Sequence, residues 1–171
     1  MSRYMLLFLL AFLVFPGGQA NASRVIEGDS LKSGMQSPDF KYRDINGKVV
    51  SLKDFKGKYV YIDLWATWCG PCCAEIPHLK ELEKKMHGKK IVFVSISCDD
   101  ERRAWVDYVK KNNMSGVQLN TEGNQAFMDA YKVNGIPRFI LLDKKGKIIN
   151  ANMTRPSDPK TLKTLSTLKG I

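Results

Sequence analysis

The chain has 171 residues, with 27 Lys and Arg against 17 Asp and Glu, so its formal net charge is +10 at pH 7. This length is typical of one domain built around a single hydrophobic core. An apolar fraction of 44% and a charged fraction of 26% exclude a disordered chain, a collagen-like repeat and a multi-pass membrane protein. The positive charge leaves nucleic acid and anionic membranes open as partners.

The N-terminus carries the pattern of a secretory signal. Arg3 precedes an unbroken apolar run at Met5–Phe15, which is shorter than the roughly 20 residues that a membrane-spanning helix needs. Small residues follow at Ala20 and Ala22, as they do at a signal cleavage site. We therefore predict a signal peptide that is cleaved after Ala20 or Ala22, with an uncleaved membrane anchor as the alternative.

The predicted signal peptide divides the chain into three parts. Residues 1–22 form the signal peptide, residues 23–36 form a flexible leader, and residues 37–171 form one domain. We expect the protein to be exported and periplasmic, and to be membrane-associated if the signal is retained.

Strand and helix patterns alternate along the domain. In chain order, the predicted elements are a hairpin of Phe40–Arg43 and Lys48–Leu52 around Asn46-Gly47, a buried strand Tyr59–Trp65, a helix Pro71–Met86, a buried strand Ile91–Ser97, a helix Asp100–Lys111, a short strand Val117–Leu119, a short helix Asn124–Tyr131, a hairpin of Phe139–Asp143 and Lys147–Asn150, and a helix from the Asp158 cap to about Lys169. In the helix Asp100–Lys111, the residues expected to face inward are Ala104, Trp105, Tyr108 and Val109. This order predicts an α/β fold with a mixed sheet covered on both faces.

Two cysteines lie where the strand Tyr59–Trp65 joins the next helix. Cys69 and Cys72 are one helical turn apart, a spacing that suits a disulfide. The free N–H groups and partial positive charge of a helix N-terminus stabilise a thiolate. We expect Cys69, at the cap, to face solvent and attack, and Cys72, one turn inside, to be shielded and to resolve the mixed disulfide.

Two other interpretations of the pair are weaker. Half of a zinc site would need further ligands, but no second Cys-x-x-Cys exists, and His78 and His87 lack a paired spacing. A purely structural disulfide is disfavoured because a loop of four residues constrains little of the unfolded chain.

The residues around the pair resemble a known active site. The segment Asp63–Cys72 resembles the active-site segment of thioredoxin, and Gly135-Ile136-Pro137 resembles the loop that carries a cis-proline opposite the disulfide in that fold. Within that superfamily the chain resembles the secreted TlpA, ResA and CcmG-type thiol-disulfide oxidoreductases. Three features carry this likeness: Ser37–Phe40 followed by the hairpin, Glu75 and Pro77 after Cys72, and the added helix and strand before Gly135.

The resemblance implies a thioredoxin-like three-layer fold with an N-terminal β-hairpin extension and a central βα insertion. It also assigns roles in the site. Asp63 matches a buried acid that takes a proton from Cys72, with a solvated strand-end acid as the alternative. Glu75 matches an active-site acid that tunes the same thiols, with a surface charge on the helix as the alternative.

The same resemblance places the substrate contacts. Trp68, Gly70 and Pro71 are expected to form part of the docking surface beside the disulfide. Ile136 and Pro137 are expected to offer a short backbone edge to an extended substrate.

Three residues depart from the family pattern. Cys73 and Cys98 are additional thiols, for which we weigh a mutual disulfide or exchange with Cys72 against an idle and a buried structural thiol. Arg138 stands where the family often has a small polar residue, which bears on substrate preference.

The predicted function is therefore a thiol-disulfide oxidoreductase outside the cytoplasm that reduces disulfides of exported proteins, including apocytochrome c. The resemblance implies cysteine-containing exported substrates, a membrane-embedded thiol electron donor, a monomer, and neither cofactor nor metal. Paired lysines lie at predicted helix ends and turns, where solvated lysines are common, so we expect no nucleic-acid binding. The alternatives are a thiol peroxidase of the redoxin group and a non-catalytic peptide-binding module.

Overall fold

A computed structural model describes residues 31–171. The predicted signal peptide and most of the predicted leader lie outside the described residues. Within residues 31–171, the structure contains no helix that is both long enough and apolar enough to span a membrane.

The described chain forms seven strands and four α-helices. In chain order they are β1 (Lys41–Asp44), β2 (Val49–Ser51), a 3-10 helix (Leu52–Phe55), β3 (Tyr59–Trp65), α1 (Gly70–Lys85), β4 (Ile91–Ser97), α2 (Arg102–Lys111), β5 (Val117–Asn120), α3 (Ala126–Ala130), β6 (Arg138–Leu142), β7 (Ile148–Met153) and α4 (Pro159–Ser166). The predicted order of elements is thus confirmed.

All seven strands belong to one mixed sheet in the order β2-β1-β5-β4-β3-β6-β7. Strands β3, β4 and β5 run parallel to one another. On one side, β1 pairs antiparallel with β5 and with β2; on the other side, β6 pairs antiparallel with β3 and with β7. Tyr59 pairs with Ile91 at one end of β3 and Trp65 pairs with Ser97 at the other. The carboxyl ends of these two central strands therefore meet at one edge of the sheet, where α1 begins.

Two hydrophobic layers cover the sheet. On one face, Tyr61 packs with Leu79 and Leu82 of α1 and with Leu165 of α4, while Trp105 of α2 packs beside Trp65. On the other face, the side chains of Ile62 and Ile96 pack with Phe127 of α3 and with Phe40 before β1. Alternate residues of β3 thus point to opposite layers, which explains why the whole strand is buried. This arrangement confirms the predicted three-layer α/β fold with helices on both faces.

Several local expectations need correction. Ala104 is exposed, although it was expected to face inward. The buried side chains of α2 are Trp105 and Val109, and the partly buried Val106 lies beside them, so the inward face of the helix is centred on Trp105. Helix α4 ends at Ser166 rather than near Lys169. Residues just before position 37 are also not a free leader, since the Gly34 N–H donates to the Ile148 carbonyl at 2.7 Å and Gln36 bridges to Lys147.

Leu64 at the centre of β3 tests this packing. The side chain is fully buried, so Leu64→Ala leaves a cavity and should lower the free energy of unfolding by about 2–5 kcal/mol. Val49→Ala is the matched control, because Val49 is 50% exposed and should cost less than about 1 kcal/mol. Denaturant unfolding of both oxidised variants measures the difference, and equal losses would contradict the described core.

Candidate active site

The redox-active element is a disulfide between Cys69 and Cys72 at the start of α1, with a Cα–Cα distance of 5.2 Å. Cys69 is the N-cap residue of the helix, in an extended conformation, and Pro71 lies in the first turn, where a missing N–H costs nothing. The Cys72 N–H donates to Cys69 Sγ at 3.2 Å. Once the bond is reduced, the same donor and the helix N-terminus stabilise a thiolate on Cys69.

Both half-cystines are sheltered in this oxidised form. Cys72 is 3% exposed, as predicted for the inner residue. Cys69 is only 6% exposed, so the expectation that it faces solvent is wrong for this state. The reason is packing, because Cys69 belongs to the same apolar cluster as Trp65, Ile76 and Trp105. A substrate disulfide must therefore approach along the surface that borders Cys69.

The loop before β6 provides that border. The Ile136–Pro137 peptide bond is cis, as the resemblance to thioredoxin implied for Pro137. The Ile136 carbonyl oxygen lies 3.8 Å from Cys69 Sγ. No backbone group within residues 31–171 hydrogen-bonds to the Ile136 N–H. An extended peptide can therefore bond to this N–H while it lies beside the disulfide.

Trp68 extends the same surface. Its side chain is 70% exposed, the largest exposed aromatic group of the described chain. A shallow pocket of about 330 Å³ separates Trp68 from the Ile136 loop, and Cys98, Met128 and Val133 also line it. Of the predicted docking residues, Trp68 and Ile136 thus line one pocket, and Gly70 and Pro71 lie in the first turn of α1 beside Cys69.

A buried carboxylate that the sequence analysis did not identify holds the loop before Cys69. Asp99, 4% exposed, accepts the Thr67 N–H at 3.0 Å and the Thr67 hydroxyl at 2.6 Å. It also accepts the Ser97 hydroxyl, and the Asn120 side chain donates to the Asp99 carbonyl at 2.9 Å. The network ties the ends of β4 and β5 to the residue two positions before Cys69. Asp99 comes just after the buried strand β4 in the sequence, and this position at the active-site edge could have identified it as a candidate site residue.

Asp63 lies on β3, on the face that α1 covers, and is 6% exposed. The interpretation as a solvated strand-end acid is therefore wrong. Burial, together with the negative charge of Glu75, raises the pKa of Asp63 to about 7, and a hydrogen bond from Ser95 opposes the rise. A carboxyl that titrates near neutral pH is suited to exchange protons with a thiol.

Glu75 is also buried, at 7% exposure, so it is not a surface charge on the helix. Its carboxylate accepts the Ser157 N–H at 2.9 Å and the Ser157 hydroxyl at 2.8 Å. Arg155 lies 3.5 Å from the same carboxylate. The segment before α4 thus holds Glu75 in place, and no sequence pattern pointed to these two partners because they lie 80 residues or more away.

The two extra thiols are both free. Cys73 Sγ lies 3.4 Å from the Thr67 carbonyl oxygen, and Cys73 and Tyr108 pack against the same apolar cluster. Cys98 is half-buried in the pocket beside Trp68, and burial together with Asp99 raises its pKa. The alternative of a Cys73–Cys98 disulfide is therefore wrong, and Cys98 is less buried than expected for a structural thiol.

Asp63 gives the site a pH signature. Its pKa is raised above the value of 3.8 that the unfolded chain retains, so the native state binds its proton more tightly. The free energy of unfolding of the oxidised protein should therefore fall as pH rises from about 4 to 7, by up to about 4 kcal/mol from this group. Asp63→Asn should remove that contribution and be the more stable protein above pH 7.

Denaturant unfolding of the oxidised proteins between pH 4 and 8 measures the effect. Asp107→Asn is the matched control, since Asp107 is an exposed carboxyl on α2. If Asp63→Asn kept the wild-type pH dependence, Asp63 would not be the group that titrates.

Comparison with known proteins agrees with this geometry. The family model described as Redoxin matches residues 32–168. The thiol-disulfide oxidoreductase ResA of Bacillus thuringiensis subsp. konkukian is 33% identical over 121 residues, which cover 71% of this chain and 69% of the relative. The solution structure of a Bacteroides vulgatus protein described as a thiol-disulfide oxidoreductase is 62% identical, with a TM-score of 0.71 over 80% of this chain and 90% of that chain.

A crystal structure from Chlorobium tepidum, described as the thiol:disulfide interchange protein DsbE, is 27% identical, with a TM-score of 0.70 over 80% of this chain and 94% of that chain. These structural similarities confirm the predicted thioredoxin-like fold. With the Cys69–Cys72 disulfide they identify a thiol-disulfide oxidoreductase of the ResA and DsbE type, and the chain belongs to the Redoxin family.

Proposed function

We propose that the protein is a reductase that acts outside the cytoplasm on disulfides of exported proteins, with oxidised Cys-x-x-Cys pairs such as those of apocytochrome c as substrates. The observation that carries the proposal is the position of the Cys69–Cys72 disulfide. It lies at a helix N-terminus, 3.8 Å from the carbonyl of Ile136, whose N–H is open to an extended peptide. All parts of the site come from one chain, so a monomer suffices.

The reaction is a two-step exchange. The Cys69 thiolate attacks one sulfur of the substrate disulfide, which breaks that bond, forms a mixed disulfide and releases the other substrate sulfur as a thiolate. The Cys72 thiolate then attacks Cys69 Sγ and displaces the second substrate sulfur. Two electrons have passed to the substrate, and the enzyme is left in the disulfide form that the structure shows.

Asp63 supports the second step. Cys72 must lose a proton before it attacks, and the buried carboxylate of Asp63 lies on the strand beneath α1. With a pKa of about 7, Asp63 is ionised above neutral pH and can accept that proton. Burial is the main cause of this raised pKa of Asp63, and the nearby carboxylate of Glu75, which Ser157 and Arg155 hold in place, raises it further.

Substrate recognition uses the backbone edge at Ile136 and the exposed indole of Trp68. A strand-like segment on either side of the substrate cysteine can bond to the Ile136 N–H, and an apolar neighbour can pack on Trp68. The contact with Ile136 recognises the backbone of the substrate rather than particular side chains, which suits an enzyme that acts on several exported proteins.

The direction follows from the dipeptide between the cysteines. Gly70-Pro71 is the pair found in thioredoxin, which is reducing at roughly −270 mV. The predicted signal peptide supports a location outside the cytoplasm, where a membrane-embedded thiol protein is the proposed electron donor. No cofactor takes part in this scheme.

The alternatives receive less support. A thiol peroxidase of the redoxin group needs a Thr or Ser and a Cys on the loop after the strand, but Trp68-Cys69-Gly70-Pro71-Cys72 occupies this place. A peptide-binding module would not need two cysteines joined at a helix N-terminus. Consumption of hydrogen peroxide by the purified protein would support the first alternative, and failure to reduce insulin would support the second.

The two cysteines should behave unequally when each is replaced. Cys72→Ser should accumulate mixed disulfides with substrate, because Cys69 can attack and nothing resolves the product. Cys69→Ser should accumulate at least about tenfold less, since the helix N-terminus and the Cys72 N–H stabilise a thiolate on Cys69 and not on Cys72. Non-reducing electrophoresis after a single turnover with an oxidised Cys-x-x-Cys peptide measures both.

Cys73→Ser is the control in that experiment and should turn over like wild type, because its thiol lies outside the disulfide. Equal trapping by Cys69→Ser and Cys72→Ser would contradict the assigned roles.

A further inference from the structure

The lysines of this protein are concentrated at one end of the fold. The edge of the sheet opposite the disulfide is formed by the segment before β3, the end of α1 with the turn into β4, the β6–β7 turn and the residues after α4. We define the basic pole as the ten lysines of these segments: Lys56, Lys58, Lys84, Lys85, Lys89, Lys90, Lys144, Lys145, Lys147 and Lys169. Nine of them are exposed and Lys144 is partly buried.

Contacts around Tyr59 hold these segments together. The Tyr59 N–H donates to the Lys90 carbonyl at 2.9 Å, and its hydroxyl donates to the Lys169 carbonyl at 2.9 Å. The Lys144 ammonium lies 5.0 Å from the centre of the Tyr59 ring. The Gly57 N–H donates to the Lys144 carbonyl at 2.9 Å. The lysines therefore share one rigid surface, although they come from distant parts of the sequence.

Within residues 31–171, none of the ten ammonium groups has a carboxylate at ion-pairing distance. Asp143, in the same turn as three of them, instead accepts the backbone N–H groups of Lys145 and Lys147.

Two ion pairs lie near the active site, Arg102 with Glu122 at 3.0 Å and Arg155 with Glu75 at 3.5 Å. The basic pole differs in its density of charge, since ten lysines come together at the end away from Cys69.

We propose that the basic pole binds the surface of an anionic phospholipid membrane and so orients the protein with the Cys69–Cys72 pair facing away from the bilayer. Unpaired ammonium groups on a rigid surface are attracted to the negative potential of anionic headgroups, and each group near the surface adds to the affinity. The disulfide at the other end of the parallel strands then stays open to soluble substrates.

Two observations favour a membrane over a nucleic acid. The pole contains ten lysines and no arginine, so it lacks the forked donors that recognise single phosphates and bases. Its aromatic side chain, Tyr59, is buried under Lys144 and offers no ring for base stacking.

The route of the chain favours a membrane as well. The described residues enter the fold at this same end, since the Gln36 side chain donates to the carbonyls of Lys145 and Gly146. The sequence before them carries the apolar run Met5–Phe15. A chain attached to a bilayer by that run would enter the fold at the basic pole.

A pair of quadruple variants of the full chain tests the proposal. In the pole variant, Lys56, Lys58, Lys89 and Lys145 are all changed to Gln. In the control variant, Lys41, Arg103, Lys132 and Lys160 are changed to Gln, which removes the same charge from exposed positions away from the pole. Both variants keep residues 1–30, so any contribution of Met5–Phe15 to binding is common to them.

Co-flotation with vesicles measures the binding. We expect wild type to bind vesicles with roughly one-third phosphatidylglycerol at least about tenfold more tightly than pure phosphatidylcholine vesicles, and to lose this preference at about 0.5 M salt. The pole variant should lose at least about tenfold in affinity for the anionic vesicles, and the control variant less than about threefold. Insulin reduction by the pole variant should equal that of wild type, which shows that the fold is intact.

Orientation is the second readout. The reduced Cys69 of vesicle-bound protein should react with a water-soluble disulfide probe at the rate of the free protein. Protection of Cys69 on the vesicles would overturn the proposed orientation. Equal losses by the two quadruple variants would overturn the proposed surface.

Other polyanions provide a further test. Polyglutamate and duplex DNA should bind wild type much more weakly than anionic vesicles of equal charge concentration. Equally tight binding that depends on the same lysines would show a general polyanion site and overturn the membrane assignment. If the pole variant failed to fold, the double variants of Lys56 with Lys58 and of Lys89 with Lys145 would give the same comparison in smaller steps.

Discussion

The parallel pairing of β3 with β4 is the constraint on which the rest of the structure depends. Seven residue pairs, from Tyr59 with Ile91 to Trp65 with Ser97, align the two strands, and the Cys98 N–H continues the ladder to the Trp65 carbonyl at 2.9 Å. Because the strands end together, the loop from β3 and the loop from β4 meet, and Asp99 can bond to Thr67. The position of Cys69 at the start of α1 is a consequence of that junction.

The same alignment places the active site and the lysine-rich turns at opposite edges of the sheet. The carboxyl ends of the central strands carry the disulfide, the Ile136 loop and a set of paired carboxylates. The amino ends and the antiparallel β6–β7 turn carry lysines that no described carboxylate pairs with. The N-terminus of α1 and the cationic turns thus lie at opposite ends of the parallel strands. The active site at one end leaves the basic pole at the other end accessible to the proposed membrane.

Local patterns predicted the elements well, because each signal lies within a few residues. The strand Tyr59–Trp65 is wholly apolar or aromatic apart from Asp63, and it was predicted with its observed bounds. The disulfide was predictable for the same reason, since both cysteines lie on one helical turn. The cis conformation at Pro137 was expected from the resemblance to thioredoxin rather than from the residues themselves.

What the sequence did not reveal depends on contacts between distant segments. The anchoring of Glu75 by Ser157, and the gathering of ten lysines at the end of the fold that contains Tyr59, require the sheet order before they can be seen. The shelter of Cys69 was missed because a helix cap is usually accessible, whereas here the cap residue packs into the cluster of Trp65 and Trp105. Asp63 could be placed on the inner face from its neighbours, but its pKa near 7 depends first on burial in the folded chain and then on the nearby charge of Glu75.

The reduction potential of the Cys69–Cys72 pair decides whether the protein reduces or oxidises its substrates. Equilibration of the full chain in graded redox buffers, with the thiol content measured by alkylation, gives this value. We expect a potential below about −220 mV, as a disulfide reductase requires, whereas a value near roughly −120 mV would make the protein an oxidant and contradict the proposed direction.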